Sequence, residues 1–145
     1  MPIVVIAKAP ADYEAWLNGE AERIAKAKAE EQELLAMNMS MDELMSVGER
    51  TYTAYCAACH QPNGEGLPGI FPALKGSAMA LNDKAGHINI VLNGKTGTAM
   101  QAYAKQLSLK EIAAVITYER NAWGNSTGEL VQAADVHAVL QGKGE

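Results

Sequence analysis

Cysteine is almost missing from this chain: there are two, Cys56 and Cys59, and both sit in one five-residue stretch. No structural disulfide is available unless these two pair with each other, and the second cysteine pair that would complete a zinc site is absent. Aromatic residues make up 6% of the chain, with a single phenylalanine, so a small domain lacks much of the apolar material of an ordinary core. No apolar run approaches the length of a membrane-spanning helix. Neither a catalytic triad pattern nor a glycine-rich phosphate loop is visible, and nothing marks a nucleic-acid-binding surface. An export signal at Met1 is also lacking.

Against these absences stands Cys56-Ala57-Ala58-Cys59-His60. This is C-x-x-C-H, the attachment signature of c-type haem. Two thiols three positions apart add to the two vinyl groups of one haem, and the adjacent imidazole falls beneath the iron as its proximal ligand. A C-x-x-C pair alone is redox-active or half a zinc site; the immediate histidine and the missing second pair argue against both. One covalent haem c per chain also supplies apolar core that the sequence lacks. Haem of this kind is attached outside the cytoplasm, so a precursor is expected to carry an export signal or a membrane anchor. The sequence therefore reads as a mature product or a piece of something longer.

The net charge of −5 is uneven. Residues 19–43 hold seven acidic and three basic side chains, whereas Lys75, Lys84, Lys95, Lys105 and Lys110 make the stretch around the motif mildly basic. These lysines read as solvated surface, with a docking face for an acidic partner as the alternative. Ile3-Val4-Val5-Ile6 reads as a strand that cannot form a sheet alone, the last strand of something upstream. Residues 19–40, rich in Ala, Glu and Lys, read as an exposed helical tether with Glu22–Lys26 as an i,i+4 pair. Met37, Met39, Met41 and Met45 cluster at its end and are assigned to packing.

Ser40-Met41-Asp42-Glu43 is a capping box, which predicts a helix from Met41 to about Cys59. Gly48 in its middle is explained by a close helix–helix crossing. Residues 61–78 carry four glycines and three prolines and read as loop. Asp83 caps a short helix that Asn93-Gly94 ends. Residues 95–107 are loop again. Ser108-Leu109-Lys110-Glu111 is a second capping box, predicting a helix to about Asn121. Residues 125–145 read as a tail, with a helical turn or two over 132–140. Three or four short helices and long loops around one haem make a small all-α domain.

A low-spin electron carrier needs a second axial ligand besides His60, usually a thioether or an imidazole. The candidates are Met79, Met100, His87 and His137. Met100 ranks first, because the glycine-containing loop 94–100 is placed to cross the far face of the haem. His87 is expected at the surface or as a capping group, and His137 lies in the tail. His60 also needs a carbonyl for its other ring nitrogen; the loop 70–74 can supply one, or Pro72 only terminates local structure.

Residues 48–60, from Gly48 through Tyr52 to His60, resemble the first helix of class I cytochromes c. Pro72-Ala73-Leu74 resembles that family's P-x-L segment, whose proline carbonyl accepts from the proximal histidine, and Leu109 to Tyr118 resembles its C-terminal helix. The resemblance covers residues 44–124 and implies that Gly48 and Tyr52 cross the helix bearing Tyr118. Residues 94–103 and 116–125 look more narrowly like the cytochrome c domain fused to subunit II of caa-type cytochrome c oxidases. In that family a cupredoxin-like domain with a dinuclear copper centre comes first, and its last strand, bearing a copper-ligating methionine, precedes a segment similar to residues 1–17. Met1 then stands for that ligand or for an initiator.

This resemblance implies four parts: residues 1–18 as the end of a copper domain, 19–40 as the tether, 41–124 as the cytochrome domain and 125–145 as the tail. The remaining copper ligands are absent, so this chain is expected to bind haem c and not copper. It implies an electron-transfer module with no enzyme activity of its own, on the periplasmic side of the bacterial inner membrane within a membrane-anchored subunit. Its partners would be a soluble electron-donor protein, the copper domain and subunit I. A freestanding periplasmic shuttle is the alternative. A haem peroxidase or gas sensor comes third and requires an open sixth site.

Overall fold

A computed structural model describes residues 6–142, so most of the expected strand 3–6 lies outside the described residues. The chain divides into two units, residues 1–36 and 37–145. Among its described residues the first holds a single helix, α1 (Pro10–Ala36). It begins nine residues before the expected tether, with Pro10 at its first position, where a missing N–H costs nothing. Arg23 pairs with Glu20 at 2.7 Å, and Lys26 faces Glu30 at 3.9 Å instead of Glu22.

The second unit is all-α, with no strand among its described residues. Helix α2 (Met41–Tyr55) starts at the Ser40 capping box, with Glu43 closing it. It buries Leu44, Gly48, Thr51 and Tyr52, one stripe at helical spacing. Helix α6 (Leu109–Asn121) starts at the Ser108 box and ends on Ala122. The two cross at Gly48: a Cβ there would stand 2.2 Å from the Ala114 carbonyl oxygen and 2.6 Å from Tyr118 Cβ. Only hydrogen fits, and this close approach lets Tyr52 stack on Tyr118 and Trp123 at centroid distances of 5.6 and 4.7 Å.

The expected helix to Cys59 is broken. It stops at Tyr55, Cys56 leaves the axis at φ −113°, and a separate turn, α3 (Ala57–His60), follows. Helix α4 (Ala78–Asn82) starts at the last residue of the expected loop and fills a stretch for which no element was expected, capped by the Ser77 side chain. Helix α5 (Lys84–Asn93) runs between Asp83 and Gly94 as expected. Helix α7 (Ala133–Leu140) extends the turn expected over 132–140, but the segment before and within it is no tail. Val131 and Val136 are fully buried in the cluster formed by Tyr52, Ile88, Leu92, Ile112 and Ile116. Thr117 on α6 and Val131 exchange hydrogen bonds at 2.9 and 3.3 Å. The Gln132 amide grips the backbone N–H and carbonyl of Met39, at 3.0 and 2.8 Å. The segment after residue 124 thus closes the core and pins the start of the domain.

Candidate functional site

The C-x-x-C-H motif lies where α2 gives way to α3. The amides of Cys59 and His60 both bond to the Cys56 carbonyl, at 3.1 and 2.9 Å, which winds the motif into one tight turn. Cys56 and Cys59 are free, partly exposed thiols on that turn. Burial, and then the charge of Glu119, push the Cys56 thiol upward. It is held as a thiol, not activated as a thiolate nucleophile.

After His60 the chain turns sharply. Gln61 adopts φ +64°, and its carbonyl accepts from the Tyr52 hydroxyl at 2.6 Å. The Gly66 amide returns to the His60 carbonyl at 2.9 Å. Gly66 has φ +63°, and a Cβ on it would meet the carbonyl oxygens of Phe71 and Pro72 at 2.5 and 2.6 Å. Glycine there lets residues 71 and 72 fold back against the motif. The Pro72 carbonyl oxygen lies 2.9 Å from His60 Nδ1. A carbonyl only accepts, so Nδ1 carries the proton and Nε2 keeps its lone pair. This is the orientation a metal-ligating imidazole needs.

Asn125 secures the other end of the loop. Its side chain donates to the carbonyls of Leu74 and Glu119, at 3.1 and 2.7 Å, and accepts from the Gly76 amide at 2.8 Å. Sequence reasoning gave Asn125 no role. A polar side chain just after a helix carries no signal until the loop it bridges, 49 and 51 positions back, is known.

The four axial-ligand candidates are spread widely. Met100 is half-buried against the cluster that Cys56, Ala57 and Leu74 also pack on. Its loop is closed by the Lys95 amide on the Met100 carbonyl at 3.0 Å, and is tied to α5 by the Tyr103 amide on the Val91 carbonyl at 3.0 Å. Met79 sits on α4 and is 42% exposed. His137 lies on α7. His87, expected at the surface, is buried on the inner face of α5 with Nε2 2.7 Å from Glu119. Of the five lysines, Lys75 pairs with Glu65 and Lys84 with Asp135, at 2.8 and 3.6 Å.

A haem c fits this arrangement. The two thiols lie one helical turn apart, the imidazole presents a bare Nε2, and Leu67 and Ile70 on the following loop are 40% and 72% exposed. Exposed apolar side chains beside the motif are what a flat apolar ring would cover.

The family model for cytochrome c oxidase, cbb3-type, subunit III matches residues 43–118, more than half of the chain. Over 99 residues the chain is 33% identical to the cytochrome c subunit of the quinone alcohol dehydrogenase of Gluconacetobacter polyoxogenes, covering 61% of this chain and 21% of that one. It is 31% identical over 103 residues to the gluconate 2-dehydrogenase cytochrome c subunit of Pantoea cypripedii, covering 63% and 23%. The chain thus spans about a fifth of the length of these dehydrogenase subunits. Against cytochrome c-552 of Thermus thermophilus it is 38% identical over 93 residues, covering 54% of this chain and 70% of that one. With its haem-attachment turn, its all-helical domain and a family match from α2 into α6, the chain belongs to the cytochrome c family that this model describes, and is an electron-transfer domain.

Proposed function

We propose that this domain transfers single electrons through a haem c held by Cys56 and Cys59 with His60 and Met100 as axial ligands, taking them from a soluble donor protein and passing them to the dinuclear copper centre of a cytochrome c oxidase. The observation that carries the haem assignment is the His60–Pro72 contact, which fixes the tautomer of an imidazole that directly follows Cys59 and lies one turn from Cys56. When bound, the haem supplies one-electron chemistry at its iron. The chain's own residues hold and tune it. Cys56 and Cys59 anchor the ring, the Pro72 carbonyl holds the proton on Nδ1, and the closed loop 94–100 presents a thioether, a ligand that favours a high potential. The oxidase destination has its support in the likeness of residues 94–103 and 116–125 to the domain fused to caa-type subunit II. The part of charged helix α1 from residue 19 onward suits a tether, residues 1–18 then being the end of the copper domain, on the periplasmic side of the membrane.

A second reading draws on the relatives, which are cytochrome c subunits of dehydrogenases and a cytochrome c-552. On it the domain accepts electrons from a dehydrogenase subunit or works as a freestanding shuttle. Mixing the reduced protein with a soluble dinuclear-copper domain in a stopped-flow instrument separates the two. Fast oxidation supports the oxidase reading, and failure to react with copper alongside fast reduction by a quinone dehydrogenase overturns it. The ligands are tested separately. Cys56→Ala/Cys59→Ala should leave no haem with the polypeptide after acid–acetone extraction. Met100→Ala should lose the weak sulfur-to-iron charge-transfer band and bind carbon monoxide when reduced, whereas Met79→Ala should do neither. The opposite pattern reassigns the ligand.

A further inference from the structure

Among the described residues only Gln61, at φ +64°, and Trp123, at φ +57°, combine a positive φ with a side chain, and both touch Tyr52. Gln61 is the more extreme of the two. With ψ 153° it lies in a region that glycine occupies almost alone. It also directly follows His60. Such a conformation persists only where its surroundings hold it. The Gln61 carbonyl accepts from the Tyr52 hydroxyl at 2.6 Å and from the Gly64 amide at 3.0 Å, while the His60 carbonyl accepts from the Gly66 amide at 2.9 Å. The two glycine amides belong to the turn itself. The Tyr52 hydroxyl reaches it from α2, nine positions earlier in the chain.

We propose that Tyr52 is a positioning residue for the proximal ligand: its hydroxyl clamps the Gln61 peptide in a conformation that residue would otherwise leave, and so keeps the His60 imidazole on the Pro72 carbonyl. The proposal rests on the haem reading above and needs neither Met100 nor the oxidase. The clamp is itself held firmly. Tyr52 is 1% exposed, and its ring packs against Tyr118 and Trp123. Trp123 also backs the same turn, since a Cβ on Gly64 would stand 2.3 Å from its ring. A phenylalanine at position 52 would make these ring contacts equally well, so the role belongs to the hydroxyl.

His60 and Gln61 share a peptide bond, so relaxation of Gln61 toward negative φ turns that peptide and shifts the imidazole against Pro72. The contact at risk is the 2.9 Å hydrogen bond from Nδ1 to the Pro72 carbonyl. A histidine that donates such a bond is a stronger ligand through its other nitrogen. A stronger donor favours ferric iron, so weakening the bond raises the reduction potential. A hydroxyl that merely satisfied its own need for a hydrogen-bond partner would behave differently. Its loss would change stability, and giving residue 61 a freer backbone would not undo the change in potential.

The test is the potential of the haem-loaded protein, measured by spectroelectrochemistry at neutral pH in Tyr52→Phe, Gln61→Gly and the double variant. In Tyr52→Phe the reduced-to-oxidised ratio at a fixed electrode potential should rise about threefold, less than the roughly tenfold or greater effect of removing a ligand's direct partner. Gln61→Gly alone should leave the potential where it is, because the hydroxyl still holds the peptide. The double variant should return to the parent value, since glycine takes the required conformation without a clamp. An unchanged potential in Tyr52→Phe overturns the proposal, as does a shift that persists undiminished in the double variant. Should Tyr52→Phe fail to hold haem, Gln61→Gly in the otherwise unmodified protein decides. Relief of the backbone should raise its Tm, and a lowered or unchanged Tm overturns the proposal. Lack of covalent haem in the unmodified protein would instead be a failure of the haem reading.

Discussion

Helix α1 and helix α2 are both helices, yet they form for different reasons. Among the described residues of α1 no side chain is buried, and its support is local: alanine, glutamate and lysine propensity and two surface ion pairs. Each such pair is worth about 0.2–0.5 kcal/mol. Helix α2 is shorter, carries a mid-helix glycine that costs about 1 kcal/mol in propensity, and is held by a capping box and a face packed on α6. Local preference suffices for the first helix, and tertiary contact overrides it in the second. A substitution should therefore be tolerated along α1 and costly at the α2–α6 crossing.

The largest expected effect is at Gly48. A methyl group placed 2.2 Å from a backbone oxygen cannot be relieved by a side-chain rotation, so the helices must separate. Gly48→Val should destabilise the haem-loaded protein by about 3 kcal/mol, a fall in Tm of roughly 10 °C or more. A Gly48→Ala variant more stable than the parent, as helix propensity alone would have it, would break the comparison.

The parts of the fold legible in sequence are those that local chemistry decides. Ser40 with Glu43, Ser108 with Glu111, and Asp83 marked the starts of three helices within a residue or so. Gly48 announced its crossing because an interior helix glycine needs a reason. The motif itself is local, so Cys56, Cys59 and His60 could be read directly. What stayed hidden depends on partners far along the chain. His87 on an apolar helix reads as outward-facing until Glu119, 32 positions later, is brought to it. Residues 125–140 look like a tail because two valines and a glutamine do the docking, too few for a periodic signal. Helix α4 is five residues long and has no repeat to detect.

A middle-sized effect sharpens the local side of the comparison. Ser108→Ala removes the side-chain cap of α6 and should cost about 1 kcal/mol. The box also responds to pH. Hydrogen bonds from the Ser108 amide and hydroxyl hold the Glu111 carboxyl below its usual range, and Ser40 does the same for Glu43. A lowered carboxyl contributes stability that is whole above its ordinary value of 4.5 and is lost as pH falls through the lowered one. Thermal melts between about pH 3 and 6 should show this loss in the parent, and a smaller loss in Glu43→Gln/Glu111→Gln. Equal acid sensitivity in both would assign it to other carboxylates.

The smallest expected effect is the removal of residues 1–36. The core of the second unit is complete without them: the buried cluster runs from Tyr52 to Val136, and the residues fastened to that unit begin with Met37, whose sulfur accepts from Lys110 Nζ at 3.4 Å, and Met39, held through Gln132. Deletion should change the stability of the haem-loaded domain by less than about 0.5 kcal/mol and leave its absorption spectrum unaltered. Extending the cut through Ser40 is the control, because it takes away both the Met39–Gln132 hydrogen bonds and the capping box. That longer deletion should cost about 2 kcal/mol. Two deletions that differ by only residues 37–40 thus locate where local helix gives way to packed domain. If the shorter one already lowers Tm by several degrees, α1 is part of what stabilises the domain, and the contrast between the two helices fails.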